Sequence, residues 1–288
     1  MTTTAPHNEQ QSFGSFSPLP TAEIQRLLQQ DSQLSTLLDD SRLLTLNLSQ
    51  IRHVLDIGCG IGGWAYHMAT HHPSMQILAI DKNPHLIAQA QAFHSAGNLT
   101  YIVQDMHNLA AAPFITPGTF DLIHMRFLAG DVTFQQFAPL LQSLTHLCRT
   151  GGLLIWTEAE LAATSSHACD LLQFSILHAL QLAGRSFSPG YTLALGLLNC
   201  MSDWLYEAHF DIVRDKDYLL DVSAHTQLHN IFVRQVCTLA LQIQPFLLET
   251  GATTPATFEK LLTTIQQELH AHTFCGICPV HTLVGMKR

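Results

Sequence analysis

The chain has 288 residues, enough for one large domain or for a core with a cap. Its 13 Lys and Arg residues against 22 Asp and Glu residues give a net charge of −9, without any basic run. This balance argues against nucleic acid as a partner, because binding phosphates requires Lys and Arg. Only 12% of residues are charged and 47% are hydrophobic, so we expect extra apolar surface in a pocket or in a homodimer contact.

The sequence also lacks signals for a membrane or for export. No stretch approaches the roughly 18 uninterrupted apolar residues of a membrane span. The N-terminal segment has neither the basic start nor the apolar centre of a signal peptide. Seven cysteines, an odd number spread through predicted strands and helices, are typical of a reducing compartment. We therefore predict a cytoplasmic protein without a membrane partner.

The beginning of the chain divides into a tail and a helix. Residues 1–20 are rich in Thr, Ser, Gln and Pro and have too little apolar content to fold alone, which predicts a mobile tail. Apolar residues then recur at helical spacing from Thr21 to Leu38. A helix over this segment is the first predicted element.

Residues 54–65, Val-Leu-Asp-Ile-Gly-Cys-Gly-Ile-Gly-Gly-Trp-Ala, predict a buried strand that turns through glycines into a helix. Gly58, Gly60 and Gly63 let the backbone bend and approach a ligand, to which the first helix amides offer donors. Dinucleotide-binding proteins share this pattern. A nicotinamide-dependent oxidoreductase is therefore one alternative, although the sequence contains no Tyr-x-x-x-Lys proton donor.

Further apolar strands alternate with helical segments. Strands are predicted over residues 77–81, 101–105, 120–126 and 151–156, and helices over residues 63–71, 84–94 and 134–149. This alternation predicts an α/β fold with a parallel, doubly wound sheet and a ligand across the carboxyl ends of its strands. Asp81 ends the second strand, as expected of a carboxylate that binds a ribose diol, and Asp105 ends the third.

This ordered series resembles the class I S-adenosylmethionine-dependent methyltransferases. The resemblance is carried by Asp56-Ile-Gly-Cys-Gly60, Asp81, Asp105-Met106, Phe120-Asp-Leu-Ile123 and Gly151-Gly152. Segments 23–27, 62–65 and 123–130 are further similar to the small-molecule branch that includes the fungal secondary-metabolism regulator methyltransferases.

The resemblance implies a Rossmann-like, mostly parallel sheet with an antiparallel terminal strand, and S-adenosylmethionine as the cofactor. It implies that the glycines lie under the amino-acid part of the cofactor, that Asp81 binds the ribose hydroxyls, and that Asp105 and Met106 border the adenine. The helix from Thr21 to Leu38 would fold over the cofactor, with packing on the flank of the sheet as the alternative. The predicted cofactor-binding residues are Asp56, Gly58, Cys59, Gly60, Trp64, Asp81, Lys82, Asp105, Met106 and His124.

Long apolar helices replace the alternation after the fifth strand. They are predicted over residues 166–183, 191–208, 225–249 and 255–270, with strands at 210–214 and 281–288. We therefore divide the chain into four parts. These are a mobile tail and N-terminal helical cap (1–50), a cofactor-binding core (51–160), a helical substrate cap (161–209), and terminal strands with inserted cap helices (210–288).

Methyl transfer from a sulfonium is an in-line displacement, so the protein aligns the acceptor, excludes water and removes a proton where required. His124 and Arg126 end the fourth strand and are the predicted catalytic residues, with one expected to face the pocket and the other to pack beneath it. Glu158 and His167 are weaker candidates. The alternatives for them are a solvated loop acid and an exposed histidine at a helix end.

A metal site is not predicted. The 18 histidines are scattered, without a His-Glu-x-x-His motif. Cys275 and Cys278 have the spacing of a redox or zinc pair, with His270, His272 and His281 nearby, but no second Cys pair accompanies them. We expect a tight turn before the last strand there.

The sequence thus predicts S-adenosylmethionine-dependent methyl transfer to a small molecule that is neutral, apolar or cationic. It does not determine the identity of the acceptor or whether O, N, C or S receives the methyl group. The second alternative is a protein that binds S-adenosylmethionine without transferring methyl, as a regulator or as a catalyst of another reaction.

Overall fold

The computed structural model describes residues 21–38, 48–112, 115–187 and 194–288. The tail predicted for residues 1–20 lies outside the described residues. The first element is helix α1, Thr21–Leu37, as predicted.

The following core alternates strands and helices in the predicted order. Its elements are β1 (His53–Ile57), α2 (Gly63–His71), β2 (Gln76–Asp81), α3 (Pro84–Phe93), β3 (Leu99–Val103), β4 (Phe120–Arg126), α4 (Phe134–Leu147) and β5 (Cys148–Ala159). Short 3-10 helices span Leu48–Gln50 and Met106–Ala111. The second half contains β6 (Ala163–Thr164), α5 (His167–Leu182), α6 (Leu197–Glu207), β7 (Phe210–Asp221), α7 (His229–Glu249), α8 (Pro255–Leu269) and β8 (Gly276–Lys287).

All described strands belong to one sheet in the order β3-β2-β1-β4-β5-β8-β6, with β7 also paired to β8. Strands β1 to β5 are parallel, and β8 runs antiparallel to β5, β6 and β7. The predicted mostly parallel, doubly wound sheet with an antiparallel terminal strand is confirmed. Because the strand order reverses between β1 and β4, a ligand crevice is expected at their carboxyl ends.

Local sequence explains how β1 leads into α2. Gly62 precedes the helix with φ of 79°, in the left-handed region that favours glycine. A Cβ atom at Gly62 would lie 2.4 Å from the hydroxyl oxygen of Tyr101, so a larger residue does not fit. The next helix, α3, begins with Pro84 in its first turn, and the Asn83 side chain accepts a hydrogen bond from the His85 amide.

The helices divide between two sides of the sheet and a separate layer. Residues of α2 and α3 pack with one set of sheet residues, whereas α4 and α6 pack with another. Phe137, Trp156 and Trp204 stack there, with ring centroids 5.1 to 6.2 Å apart. Helices α5, α7 and α8 form a third buried cluster, which we call the helical layer.

The second half of the predicted cap over residues 161–209 packs on the sheet, and the role of this segment as a substrate cap stays a prediction. Helix α6 begins at Leu197, after Gly196 in the left-handed conformation, and residues 191–193 of the predicted helix lie outside the described residues. Its buried face, with Met201 and Leu205, joins the cluster of the sheet and not the helical layer. The physical reason is that the apolar stripe of an amphipathic helix does not specify which apolar surface it covers.

Strands β7 and β8 are much longer than the predicted segments 210–214 and 281–288. They pair from Phe210 opposite Lys287 to Asp221 opposite Ile277. Charged residues obscure β7 in the sequence, and such residues are typical of an edge strand, where they prevent pairing with other chains. The predicted turn at Cys275 and Cys278 is also wrong, since Cys278 lies within β8.

Helix α7 is the one helix in the described ranges that is long and apolar enough to cross a membrane by length and composition, with a mean hydropathy of 1.4. One such helix is weak evidence, because a core helix passes the same test. Helix α7 contributes Val233, Ala240 and Leu247 to the helical layer. The absence of a membrane partner stays a prediction.

Strands β5 and β8 are joined by a buried hydroxyl pair. The Oγ1 atoms of Thr157 and Thr282 lie 2.8 Å apart. We expect Thr282→Val to lower the free energy of unfolding by about 1 to 3 kcal/mol, because the Thr157 hydroxyl loses its partner. The double substitution Thr157→Val, Thr282→Val should restore most of that loss in urea unfolding. Additive losses from the two single variants would contradict a coupled pair.

Candidate functional site

A cavity of about 310 Å³ lies at the carboxyl ends of β1, β2 and β4. We call it the glycine-loop cavity, after residues 58–63. Six of the predicted cofactor-binding residues line it, namely Gly58, Cys59, Gly60, Asp81, Lys82 and Met106. Glycine is required at position 58, where φ is 65° and a Cβ atom would lie 2.7 Å from the Leu128 side chain.

Asp81 ties the end of β2 to the glycine loop. Its Oδ2 accepts a hydrogen bond from the Gly60 amide at 3.0 Å, and its Oδ1 accepts one from the Asn83 amide at 2.8 Å. Burial raises the pKa of the Asp81 carboxyl, and these two hydrogen bonds oppose the rise. The carboxylate therefore lies in the cavity wall with its orientation set by two backbone donors.

Asp56, Trp64 and His124 form a buried group beside the glycine loop. Asp56 Oδ1 lies 2.7 Å from His124 Nδ1, and both side chains are 3% exposed. The His124 ring stacks on Trp64 with centroids 3.6 Å apart. Among the described residues, Asp56 Oδ2 has no hydrogen-bond partner.

This enclosure bears on the predictions for His124 and Trp64. None of Asp56, Trp64 and His124 lines the glycine-loop cavity, although all three were predicted to contact the cofactor. His124 is enclosed by Asp56 of β1 and Trp64 of α2, and its predicted catalytic role stays a prediction. Arg126 lies two residues further along the same face of β4, at its carboxyl end, and lines the cavity.

Helix α1 lies over the glycine-loop cavity, so the alternative of packing on the flank of the sheet is wrong. Asp31 of α1 forms an ion pair with Arg126 of β4. Leu27 and Leu34 also line the cavity. Arg126 is thus paired with an acid of α1, and its predicted catalytic role stays a prediction.

Of the remaining predicted cofactor-binding residues, some line the glycine-loop cavity and one does not. Lys82 forms an ion pair with Asp131 at the cavity rim. Met106 lines the cavity, whereas Asp105 caps the following 3-10 helix by accepting a hydrogen bond from the His107 amide at 2.9 Å. Asp105 is not part of the cavity lining, and its predicted contact with adenine is untested.

A second cavity of about 350 Å³ adjoins the first and shares Gln30, Leu34 and Phe127 with it. We call it the apolar cavity. Its walls come mainly from the helical layer and from the ends of β5, β7 and β8. Its two acids are Glu158 and Glu160.

Glu158 is a buried member of β5 rather than the solvated loop acid that the sequence allowed. Its exposed fraction is 0%, and its Oε1 accepts hydrogen bonds from the Trp156 indole at 3.0 Å and the Leu128 amide at 2.9 Å. Burial raises its pKa to about 7, against these hydrogen bonds. The sequence signal that was missed is the apolar run before Glu158. This run indicates a strand, and β5 extends through Glu158 to Ala159. His167, by contrast, is exposed at the start of α5.

No group of three or more metal-ligating side chains occurs within the described part of the chain. Cys275 is exposed and Cys278 is half-buried, and both are free thiols. Burial raises the pKa of the Cys278 thiol to about 11, with the Glu160 carboxylate adding to the rise.

The site fits S-adenosylmethionine. Glycines allow close approach to the backbone, Asp81 offers a carboxylate, and Met106 adds an apolar wall. The unpaired oxygen of Asp56 fits the need of a buried acid for a cationic partner such as the cofactor ammonium. The sheet order and this loop define the class I S-adenosylmethionine-dependent methyltransferase fold.

Comparisons with known proteins agree with this class. Residues 54–152 match the family described as methyltransferase domain. Over 197 residues the chain is 34% identical to Methyltransferase str3 of Strobilurus tenacellus, covering 68% of this chain and 61% of that protein. It is 24% identical over 178 residues to Methyltransferase pytC of Aspergillus terreus, covering 59% of this chain and 49% of that protein.

A solved structure from Bacillus halodurans, described as a candidate methyltransferase, has the same fold with a TM-score of 0.53 and 14% identity, over 89% of this chain and 100% of that one. Residues 54–152 thus form a methyltransferase domain, and the chain has the fold of that solved methyltransferase structure. It spans about half to three fifths of the length of the two curated relatives.

Proposed function

We propose that this protein transfers a methyl group from S-adenosylmethionine to a small molecule. The main observation that supports this proposal is that the two cavities adjoin and share Gln30, Leu34 and Phe127 in their walls. A cofactor in the glycine-loop cavity would present its methyl group toward an acceptor in the apolar cavity. Such alignment supplies most of what an in-line displacement needs from a protein.

The residues of the glycine-loop cavity support distinct binding roles. Asp81 would accept hydrogen bonds from the ribose hydroxyls, because its carboxylate is held in the wall by Gly60 and Asn83. Gly58 would admit the cofactor close to the backbone. Asp56 Oδ2, which lacks a partner among the described residues, would face the ammonium of the amino-acid part.

The acceptor is proposed as a small molecule of specialised metabolism. The mostly apolar walls of the second cavity and the net charge of −9 favour such an acceptor over nucleic acid. The named relatives come from fungi, in agreement with the predicted branch. A homodimer and a cytoplasmic location stay predictions.

Calorimetric titration with S-adenosylhomocysteine tests the cofactor, with NAD⁺ as the parallel control. We expect micromolar binding of S-adenosylhomocysteine and none of NAD⁺. Binding of NAD⁺ alone would support the oxidoreductase alternative and overturn the proposal, and binding of neither would contradict a working cofactor site. Transfer of a labelled methyl group to an acceptor then separates an enzyme from a protein that only binds the cofactor.

A further inference from the structure

Glu158 is the chemically most distinctive residue of the apolar cavity. It is fully buried in β5 and lies in the cavity wall. We propose that the apolar cavity binds an uncharged, apolar molecule carrying a hydroxyl group, and that Glu158 accepts the hydrogen bond and then the proton of that hydroxyl. This inference rests on the proposed function, since it names the acceptor class of the same reaction.

The hydrogen bonds of Glu158 leave one oxygen available. Oε1 accepts from both Trp156 and Leu128, within 3.0 Å. Oε2 has only a long contact of 3.4 Å with the Ala129 amide among the hydrogen bonds resolved for it. A carboxylate oxygen accepts about two hydrogen bonds, so Oε2 retains capacity for a ligand hydroxyl.

The second acid of the cavity is used differently. Glu160 Oε1 accepts hydrogen bonds from the Leu161 amide at 2.9 Å and the Leu195 amide at 2.6 Å, and its Oε2 accepts one from Gly196 at 3.1 Å. These bonds hold the segment that leads into α6. Glu160 therefore serves as a matched control, because it lines the same cavity with both oxygens engaged.

The lining also selects the charge of the ligand. Within the described residues, no Lys or Arg lines the apolar cavity, and its ionisable groups are Glu158, Glu160, Cys169 and Cys278. A carboxylate or phosphate on the ligand would meet two acids without a compensating cation. An ammonium would lose its hydration among apolar walls, whereas a hydroxyl enters at lower desolvation cost.

The ionisable neighbours of Glu158 outside the cavity are paired with other side chains. Asp131, in the loop after β4, raises the pKa of Glu158, and Asp131 itself pairs with Lys82. His281 lies opposite Glu158 on β8 and is paired with Asp217. A pKa of about 7 leaves the carboxylate and the acid both populated near neutral pH, as a general base requires.

The step balances without another reactant. As the hydroxyl oxygen forms its bond to the methyl carbon, its proton moves to Glu158. The bond between the methyl carbon and the sulfonium sulfur breaks, and its electron pair stays on sulfur. The products are a methyl ether, the neutral thioether S-adenosylhomocysteine and protonated Glu158, which then releases its proton to solvent.

Three probes of similar shape test the inference on protein saturated with S-adenosylhomocysteine. These are 2-naphthol, 2-methylnaphthalene and 2-naphthoate, followed by fluorescence titration. We expect 2-naphthol to bind roughly tenfold more tightly than 2-methylnaphthalene, because it donates a hydrogen bond to a buried carboxylate. We expect 2-naphthoate to bind most weakly. The naphthol preference should shrink as the pH is lowered through about 7, where Glu158 becomes protonated.

Glu158→Gln should reduce the naphthol preference and remove its pH dependence, whereas Glu160→Gln should leave both unchanged. Equal binding of naphthol and methylnaphthalene, tightest binding of naphthoate, or binding of none of the probes would overturn the inference. If Glu158→Gln does not fold, the pH dependence of the naphthol preference in the wild-type protein still tests the inference. Failure to bind S-adenosylhomocysteine would instead refute the proposed function, which separates the two outcomes.

Discussion

His124→Ala is expected to lower the free energy of unfolding by about 3 to 5 kcal/mol, because it leaves a buried acid without its hydrogen-bond partner and removes a packed ring. The substitution leaves Asp56 without its histidine partner at 3% exposure and removes the ring that stacks on Trp64. Urea unfolding of both proteins, with the midpoint and slope compared, measures the loss.

His281→Ala is the control for this result. His281 Nδ1 lies 2.6 Å from Asp217, close to the separation in the buried pair, but the Asp217 side chain is 81% exposed. Exposed pairs contribute about 1 kcal/mol or less, so we expect a small effect. Equal losses in the two variants would refute the view that burial makes the Asp56–His124 pair important to the fold.

Asp81→Asn is expected to weaken S-adenosylhomocysteine binding by at least about 2 kcal/mol, roughly 30-fold. The substitution keeps the side-chain volume but removes the negative charge that would receive the ribose hydroxyls. It also weakens the acceptor for the Gly60 amide, which orients the glycine loop. Calorimetry on folded protein measures the change in affinity.

Asp105→Asn provides the matched comparison, because Asp105 also follows the carboxyl end of a parallel strand but caps a 3-10 helix outside the cavity lining. We expect its effect on affinity to be clearly smaller. An equal loss would mean that Asp105 contacts the adenine, as the resemblance implies. Unchanged affinity in folded Asp81→Asn would remove the proposed ribose contact.

The residues of the glycine-loop cavity were predictable where they follow one another in the chain. Gly58, Cys59 and Gly60 form one turn, and Asp81 ends a strand whose apolar run is plain in the sequence. Their place in the cavity follows from local backbone geometry and from the rule that parallel strands share a carboxyl edge. Met106 follows the next strand by the same rule.

Side chains inside strands were less predictable. His124 and Arg126 lie two residues apart and share one face of β4, so alternation does not reveal that Trp64 covers His124 while Arg126 lines the cavity. Glu158 was predicted only as a weaker catalytic candidate, because an acid at a strand end is usually solvated. Its burial depends on contacts with Trp156 and with the loop around Leu128. These neighbours are set by packing between elements.

By itself, the sequence determined the alternating α/β core, the glycine turn and the acid that ends β2, because hydrophobic period and turn chemistry act over a few residues. Only the tertiary structure decided that α1 covers the glycine-loop cavity through Asp31 and Arg126, and that β7 pairs with β8 from Phe210 to Asp221. The same is true of the apolar cavity around Glu158. These features depend on contacts between distant segments, whose partners no local pattern specifies.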